Sequence, residues 1–77
     1  YNLANIYFKI GHALINLHEI NGNSDKNELE KAHYVLEKAL EINPEMAEAY
    51  YNLGILLKYK NTNVFAIENL ERSIELN

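Results

Sequence analysis

The sequence contains no cysteine, a single proline and three glycines among 77 residues. Without cysteine, neither a disulfide framework nor a cysteine-based metal site can form. The absence fits a reducing compartment, so we expect an intracellular, cytoplasmic protein. No apolar run approaches the roughly 20 residues of a membrane span, and no signal or transit segment is visible. We therefore expect no membrane partner.

Positive charge is also scarce. Seven Lys and Arg residues face eleven Asp and Glu residues, which gives a net charge of −4 without a block of like charge. Nucleic-acid binding depends on Lys and Arg that neutralise phosphates, so we expect no nucleic-acid partner. Few residues are β-branched, which argues against a sheet. A chain of this length forms one small domain that is marginally stable alone.

The second half of the chain has a helical period. Asn43-Pro44 is a favourable start, because Asn caps helices well and Pro suits the first helical position. The cluster Asn61-Thr62-Asn63 predicts a turn. Apolar residues recur at helical spacing on both sides of it, at Met46, Ala49, Tyr50, Leu53, Leu56 and Leu57, and then at Phe65, Ala66, Leu70, Ile74 and Leu76.

This unit, residues 44–77, resembles a tetratricopeptide repeat. The family pattern runs aromatic-x-x-Leu-Gly, then a small residue, a large residue and Pro over about 34 residues. Tyr50, Leu53-Gly54, Ala66 and Leu70 stand at its marked places, and Asn61 stands where the family usually has a turn Gly. The resemblance implies an all-α fold of antiparallel helix-turn-helix repeats, an α-solenoid with about four helices.

Residues 1–43 read as a first repeat. Tyr1-Asn2-Leu3 matches Tyr51-Asn52-Leu53 at an offset of 50, which places Ala4 at Gly54 and Gly11 at the turn. In this register the first repeat is truncated at its N-terminus and carries a long insertion around 12–27. The first helix then either continues through Gly11 to about Glu19 or stops at Gly11 before a short inserted helix. We expect the chain to be a fragment of a longer array.

The remainder of the first repeat is a loop and a helix. Asn21-Gly22 is a strong turn signal, and Asp25 with Glu28 resembles a capping box. A helix from about Lys26 to Ile42 follows. Its inner face comprises Leu29, Ala32, Leu36, Ala39 and Leu40.

No constellation for catalysis is present. His12 and His18 lie six residues apart, about 240° around a helix, so they do not share a face. There is no His-Glu-x-x-His motif and no phosphate-binding loop. We expect no enzyme activity, no cofactor and no metal site.

The resemblance implies a function in protein–protein binding, as a scaffold or adaptor. In this family the first helix of each repeat lines a concave surface that binds an extended peptide or an amphipathic helix. Transferred to this sequence, that surface is a groove that comprises Tyr1, Asn2, Asn5, Phe8, Lys9, Glu48, Tyr51, Asn52, Ile55 and Tyr59. The alternative for Tyr1 and Tyr51 is that they pack between repeats.

Three alternatives stay open. In the first, the module is an architectural spacer or a self-association unit, with Phe65, Ile67, Ile74 or Leu76 exposed at a cut end. In the second, it is an accessory domain of an enzyme. In the third, it is a clamp for the C-terminal carboxylate of heat-shock chaperones, for which Asn5 and Asn52 match but Tyr1 stands where that subfamily has Lys.

Overall fold

The computed structural model describes residues 2–22 and 26–77, which form four helices and, within those ranges, no strand. They are α1 (Asn2–Ile20), α2 (Lys26–Ile42), α3 (Ala47–Tyr59) and α4 (Asn63–Leu76). α1 packs on α2 and α3 packs on α4, so the chain is two helical hairpins, joined mainly through α2 and α3. The expected all-α architecture is confirmed.

The two hairpins are built around the same close contact. A Cβ added to Gly54 would lie 2.6 Å from Cγ of Leu70, and one added to Gly11 would lie 2.6 Å from Cγ of Leu36. Ala66 and Ala32, the small residues one turn before these leucines, are both buried. Gly11 is therefore the structural counterpart of Gly54.

The register predicted for the first repeat is wrong. Gly11 lies inside α1 rather than in a turn, and Ala4 does not take the place of Gly54. Gly11 and Gly54 lie 43 residues apart, nine more than the 34 between Leu36 and Leu70. The error arose because the identical Tyr-Asn-Leu triplets were aligned, whereas packing depends on which residue permits the close helix crossing.

The continuous first helix is confirmed. α1 passes through Gly11 without interruption and buries Ala4, Ile15 and His18. Glycine within a helix is unfavourable by about 1 kcal/mol relative to alanine, but here it lets Leu36 approach the backbone of α1. The cost is offset by that packing.

The C-terminal end of α3 was predicted correctly from the sequence, whereas its N-terminal end was not. Asn61 has the left-handed backbone, φ 63°, that its place at the turn predicts. At the other end, α3 begins at Ala47 and not at Pro44. Oδ1 of Asn43 accepts from the Glu45 N–H at 3.3 Å, and the Met46 N–H donates to the Asn43 carbonyl at 3.3 Å. These bonds close a turn over the residues expected to start the helix.

The core lies inside each hairpin and between α2 and α3. Its buried apolar residues are Ala4, Ile15, Leu29, Ala32, Leu36, Ala39, Met46, Ala49, Leu53, Leu56, Leu57 and Ala66. The inner face predicted for α2 is confirmed, with Leu40 partly buried. Asp25, the predicted cap of this helix, lies outside the described residues.

Gly11→Ala tests the first close contact. An exposed helical glycine gains about 1 kcal/mol from this change, but overpacking a core costs about 1–3 kcal/mol. Because the new methyl group meets Leu36 at a branched carbon, we expect the cost to exceed the gain and the free energy of unfolding to fall by up to about 2 kcal/mol. Urea denaturation measures it.

The control is Asn16→Ala, at an exposed position of the same helix. We expect this change to be neutral or slightly stabilising. A Gly11→Ala protein that is more stable than the parent would contradict the contact.

Candidate functional site

A cleft of about 340 Å³ lies on one side of the two hairpins, where α1, α3 and the end of α4 meet. The first helices of both hairpins contribute to its walls, as expected of a concave repeat surface. Its lining residues are Phe8, His12, Ala47, Glu48, Tyr51, Asn52, Ser73 and Asn77. We call this the inter-hairpin cleft.

A buried amide joins the two hairpins at the cleft. Asn52 is only 4% exposed, and its Oδ1 lies 3.0 Å from Nδ1 of His12. Its Nδ2 donates to the Glu48 carbonyl oxygen at 2.8 Å, one turn back in α3. Buried polar groups cost free energy unless they are hydrogen-bonded. Asn52 therefore fixes the position of His12 across the cleft.

Aromatic side chains stand on both sides of this pair. The Phe8 ring lies one turn before His12, with the two ring centroids 6.1 Å apart. Tyr51 on α3 is 52% exposed although its neighbours Asn52 and Leu53 are buried. In the described residues Tyr51 thus lines the cleft rather than packing inside the core.

Only some of the predicted groove residues line the cleft. Phe8, Glu48, Tyr51 and Asn52 line the inter-hairpin cleft. Ile55 is partly buried against the core, and Tyr59 belongs to a second cavity. Asn5 and Lys9 are exposed on α1 but do not line the cleft, while Tyr1 and the side chain of Asn2 lie outside the described residues.

Sequence reasoning missed His12, Ala47, Ser73 and Asn77. A usable signal existed for His12: in a helix that continues through Gly11, it lies four residues after Phe8 and shares its face. His12 was left out of the predicted groove because the wrong register placed Gly11 at the turn of the first repeat. No comparable signal marked Ser73, because its place depends on how the end of α4 meets α3.

The second cavity, about 310 Å³, lies at the opposite end of α3, beside the extended tips of α1 and α2. Its lining residues are His18, Lys26, Leu29, Glu30, Tyr59, Lys60 and Asn61. The Tyr59 hydroxyl donates to the Glu19 carboxylate, and the ring meets buried His18 edge-on at 5.4 Å between centroids. Nζ of Lys60 lies 3.2 Å from Oε2 of Glu30.

These contacts attach the end of α3 to the extended first hairpin. We call this group, Glu19, Glu30, Tyr59 and Lys60, the tip contacts. They exist because α1 and α2 are 19 and 17 residues long, whereas α3 and α4 have 13 and 14. The insertion thus adds polar links between the hairpins.

The three histidines are all engaged in packing or polar contacts. Nδ1 of buried His18 lies 3.6 Å from Oε1 of Glu28. Nε2 of His33 lies 3.3 Å from Oε2 of Glu37 on the next turn of α2. Across residues 2–22 and 26–77, no group of three His, Asp or Glu side chains could hold a metal ion.

Comparison with protein families gives a match to the TPR repeat. The model of the TPR repeat matches residues 24–61, from just before α2 to the turn after α3. The matched segment therefore spans the junction between the hairpins. No curated protein and no solved structure matches the chain.

The tip contacts predict a dependence on alkaline pH. The hydrogen bond to Glu19, burial and the charge of Glu19 raise the pKa of Tyr59 above 10.0. A raised pKa means that folding favours the neutral phenol. Its contribution to stability is complete below about pH 10 and is lost as the pH rises through the pKa of the folded protein.

Tyr59→Phe retains the ring against His18 and removes the hydroxyl. We expect the difference in free energy of unfolding between parent and Tyr59→Phe to stay constant up to about pH 9 and to shrink as the pH rises above about 10. Denaturation at each pH measures it, with Tyr34→Phe, which removes a hydroxyl from an exposed ring on α2, as the matched control. A pH-independent difference at Tyr59 would contradict the assignment.

Proposed function

We propose that the chain belongs to the tetratricopeptide repeat (TPR) family, whose model matches residues 24–61, and that it is a scaffold or adaptor that docks a protein segment in the inter-hairpin cleft. TPR repeats generally mediate protein–protein interactions and are typically not catalytic. The finer assignment to this cleft rests on its side chains.

The observation that carries the proposal is the exposure of Tyr51 beside a polar pair of fixed geometry. Aromatic residues are enriched among the anchors of protein interfaces. Tyr51 is 52% exposed, and Phe8 lines the same cleft. The bond between His12 and Asn52 holds the cleft wall in place before a partner arrives. Such preorganisation lowers the cost of binding.

The partner is an extended peptide or an amphipathic helix. Both present a narrow row of side chains, which suits a cleft walled by parallel helix faces. The chain is acidic, with net charge −4, which is unfavourable for binding nucleic-acid phosphates. Within the described residues, no helix is long and apolar enough to cross a membrane. A cytoplasmic location stays a prediction.

The carboxylate clamp is not supported by the side chains present. In the register in which Gly11 matches Gly54, the first-repeat places of the clamp move by seven residues, from Tyr1 and Asn5 to Phe8 and His12. Neither is the Lys that such a clamp requires. The third place, Asn52, already uses its amide within the fold.

Self-association is the second candidate, favoured by unpaired apolar faces at both ends of the molecule. Ile10 is 44% exposed, whereas its counterpart in the second hairpin, Leu53, is 5% exposed. Ile74 is 75% exposed, whereas Leu40, 34 residues earlier, packs against the core. The α2–α3 junction thus supplies a template for pairing α4 of one copy with α1 of another, an open head-to-tail contact.

The exposed apolar residues along α4 agree with this candidate. Phe65, Ile67 and Ile74 are all more than half exposed, and Leu76 is intermediate. Two repeats are fewer than the roughly three that a stable array needs. We propose that further repeats or a second copy cover these faces.

Tyr51→Ala tests docking in the cleft. We expect it to weaken capture of the partner from an extract of the cells that make this protein by about tenfold or more, because truncation of an interface anchor costs about 2 kcal/mol. Affinity purification with quantitative mass spectrometry measures it, and circular dichroism checks folding.

Tyr34→Ala is the matched control, since Tyr34 is also exposed but lies on α2, away from the cleft. The Tyr34→Ala protein should still capture the partners of the parent. If partners are lost with Tyr34→Ala and kept with Tyr51→Ala, the docking surface is the one on α1 and α2 that includes Ile10 and Tyr34. Partners unaffected by either change would contradict docking.

Ile74→Glu tests self-association. A charge buried in an apolar contact is costly, so we expect sedimentation equilibrium to show association of the parent that Ile74→Glu abolishes. Tyr51→Glu, an equally drastic change in the cleft, should leave association intact. A parent that is monomeric at all concentrations would contradict this candidate.

A further inference from the structure

The orientation of the Asn52 amide is determined by its two contacts. One of them is to the Glu48 carbonyl, 2.8 Å away, and a carbonyl oxygen only accepts hydrogen bonds. The group that faces it must therefore be the NH₂ group of Asn52. It follows that the other atom of the amide, the acceptor Oδ1, is the one that faces Nδ1 of His12 at 3.0 Å.

This orientation sets the hydrogen-bonding character of His12. Because Oδ1 of Asn52 only accepts, Nδ1 of His12 carries the proton. In a neutral imidazole the other nitrogen, Nε2, is then an acceptor. His12 is exposed and lines the inter-hairpin cleft. The folded chain thus offers an acceptor from α1 to a bound partner.

A second acceptor comes from α3. Glu48 is exposed and lines the same cleft. Among the described residues its carboxylate has no ion pair or hydrogen bond, and only its backbone carbonyl is engaged, by Asn52. Its place in the first turn of α3 favours a negative charge there. The cleft therefore contains a carboxylate with unused bonding capacity.

Among the described residues, no cationic side chain compensates this carboxylate within the cleft. The lining residues include no Lys or Arg. Lys9 follows Phe8 in sequence but is exposed on α1 outside the cleft lining. The faces of Phe8 and Tyr51 add negative quadrupole potential, which attracts cations. Two acceptors and two aromatic rings form an environment that suits a donor-rich cation.

We propose that the inter-hairpin cleft binds a Lys or Arg side chain of the docked segment, with Arg preferred. The guanidinium is planar, stacks on aromatic rings and donates in several directions at once. Glu48 and Nε2 of His12 accept from it, and Phe8 or Tyr51 covers its face. This inference rests on the proposed docking function and specifies the partner as a basic segment.

The test uses N-acetyl-arginine amide and its neutral isostere, N-acetyl-citrulline amide, titrated into the ¹⁵N-labelled protein at matched ionic strength. We expect saturable NMR shifts at Phe8, His12, Tyr51 and Asn52 with millimolar affinity for the arginine probe. Binding of the citrulline probe should be weaker by at least about fivefold, because citrulline lacks the positive charge of arginine. Equal affinities, or shifts located elsewhere, would overturn the proposal.

Glu48→Gln isolates the carboxylate. It should weaken binding of the arginine probe by about twofold to fivefold and leave the citrulline probe unchanged. Glu68→Gln on α4 is the same chemical change at an exposed site outside the cleft and should alter neither. An unchanged arginine affinity in Glu48→Gln would overturn the assignment of this residue.

The results separate this inference from the docking function itself. If partner capture depends on Tyr51 while arginine and citrulline bind alike, the docking function holds and the cation site is wrong. If the arginine probe binds through Glu48 but partner capture is unchanged in Tyr51→Ala, the cation site holds and the docking function is wrong.

Discussion

The structure depends on one steric constraint, the approach of a leucine to a glycine backbone in each hairpin. Leu36 lies over Gly11 and Leu70 lies over Gly54, each at a distance that leaves no space for a side chain on the glycine. Close approach lets the remaining large residues fill the crossing at the density of a protein interior. Because the contact recurs, the helix crossing is built in the same way in both hairpins. Residues of both first helices line the inter-hairpin cleft.

The insertion adds a second set of constraints at the far end of α3. It lengthens α1 and α2 and brings Glu19 and Glu30 within reach of Tyr59 and Lys60. Together with the bond between His12 and Asn52 in the middle of α3, these links connect the two hairpins at two separate points. Single exposed pairs contribute little to stability, but links at two separate points restrict how far one hairpin can rotate on the other. A cleft of fixed shape suits a binding surface.

Much of the fold was predictable because it depends on local chemistry. Helical periodicity, together with the resemblance to a tetratricopeptide repeat, predicted about four helices, and Asn61 marked the tight turn between α3 and α4. The register of the first hairpin was not predictable from sequence identity, since Tyr-Asn-Leu occurs twice but in non-equivalent positions. The same error led to the omission of His12 from the predicted groove. Packing decides such questions, and in a helix a shift of seven residues preserves the apolar face, so periodicity alone could not detect the slip.

The equivalence of the hairpins can be measured directly by nuclear Overhauser effects to the leucine methyl groups. The account predicts contacts from the α-protons of Gly11 to the Leu36 methyl groups and, in the same spectrum, from Gly54 to Leu70. Contacts from Ala4 to Leu36, with Gly11 free of them, would restore the register of the aligned triplets. His12 would then leave the cleft, and the proposed binding surface would be contradicted.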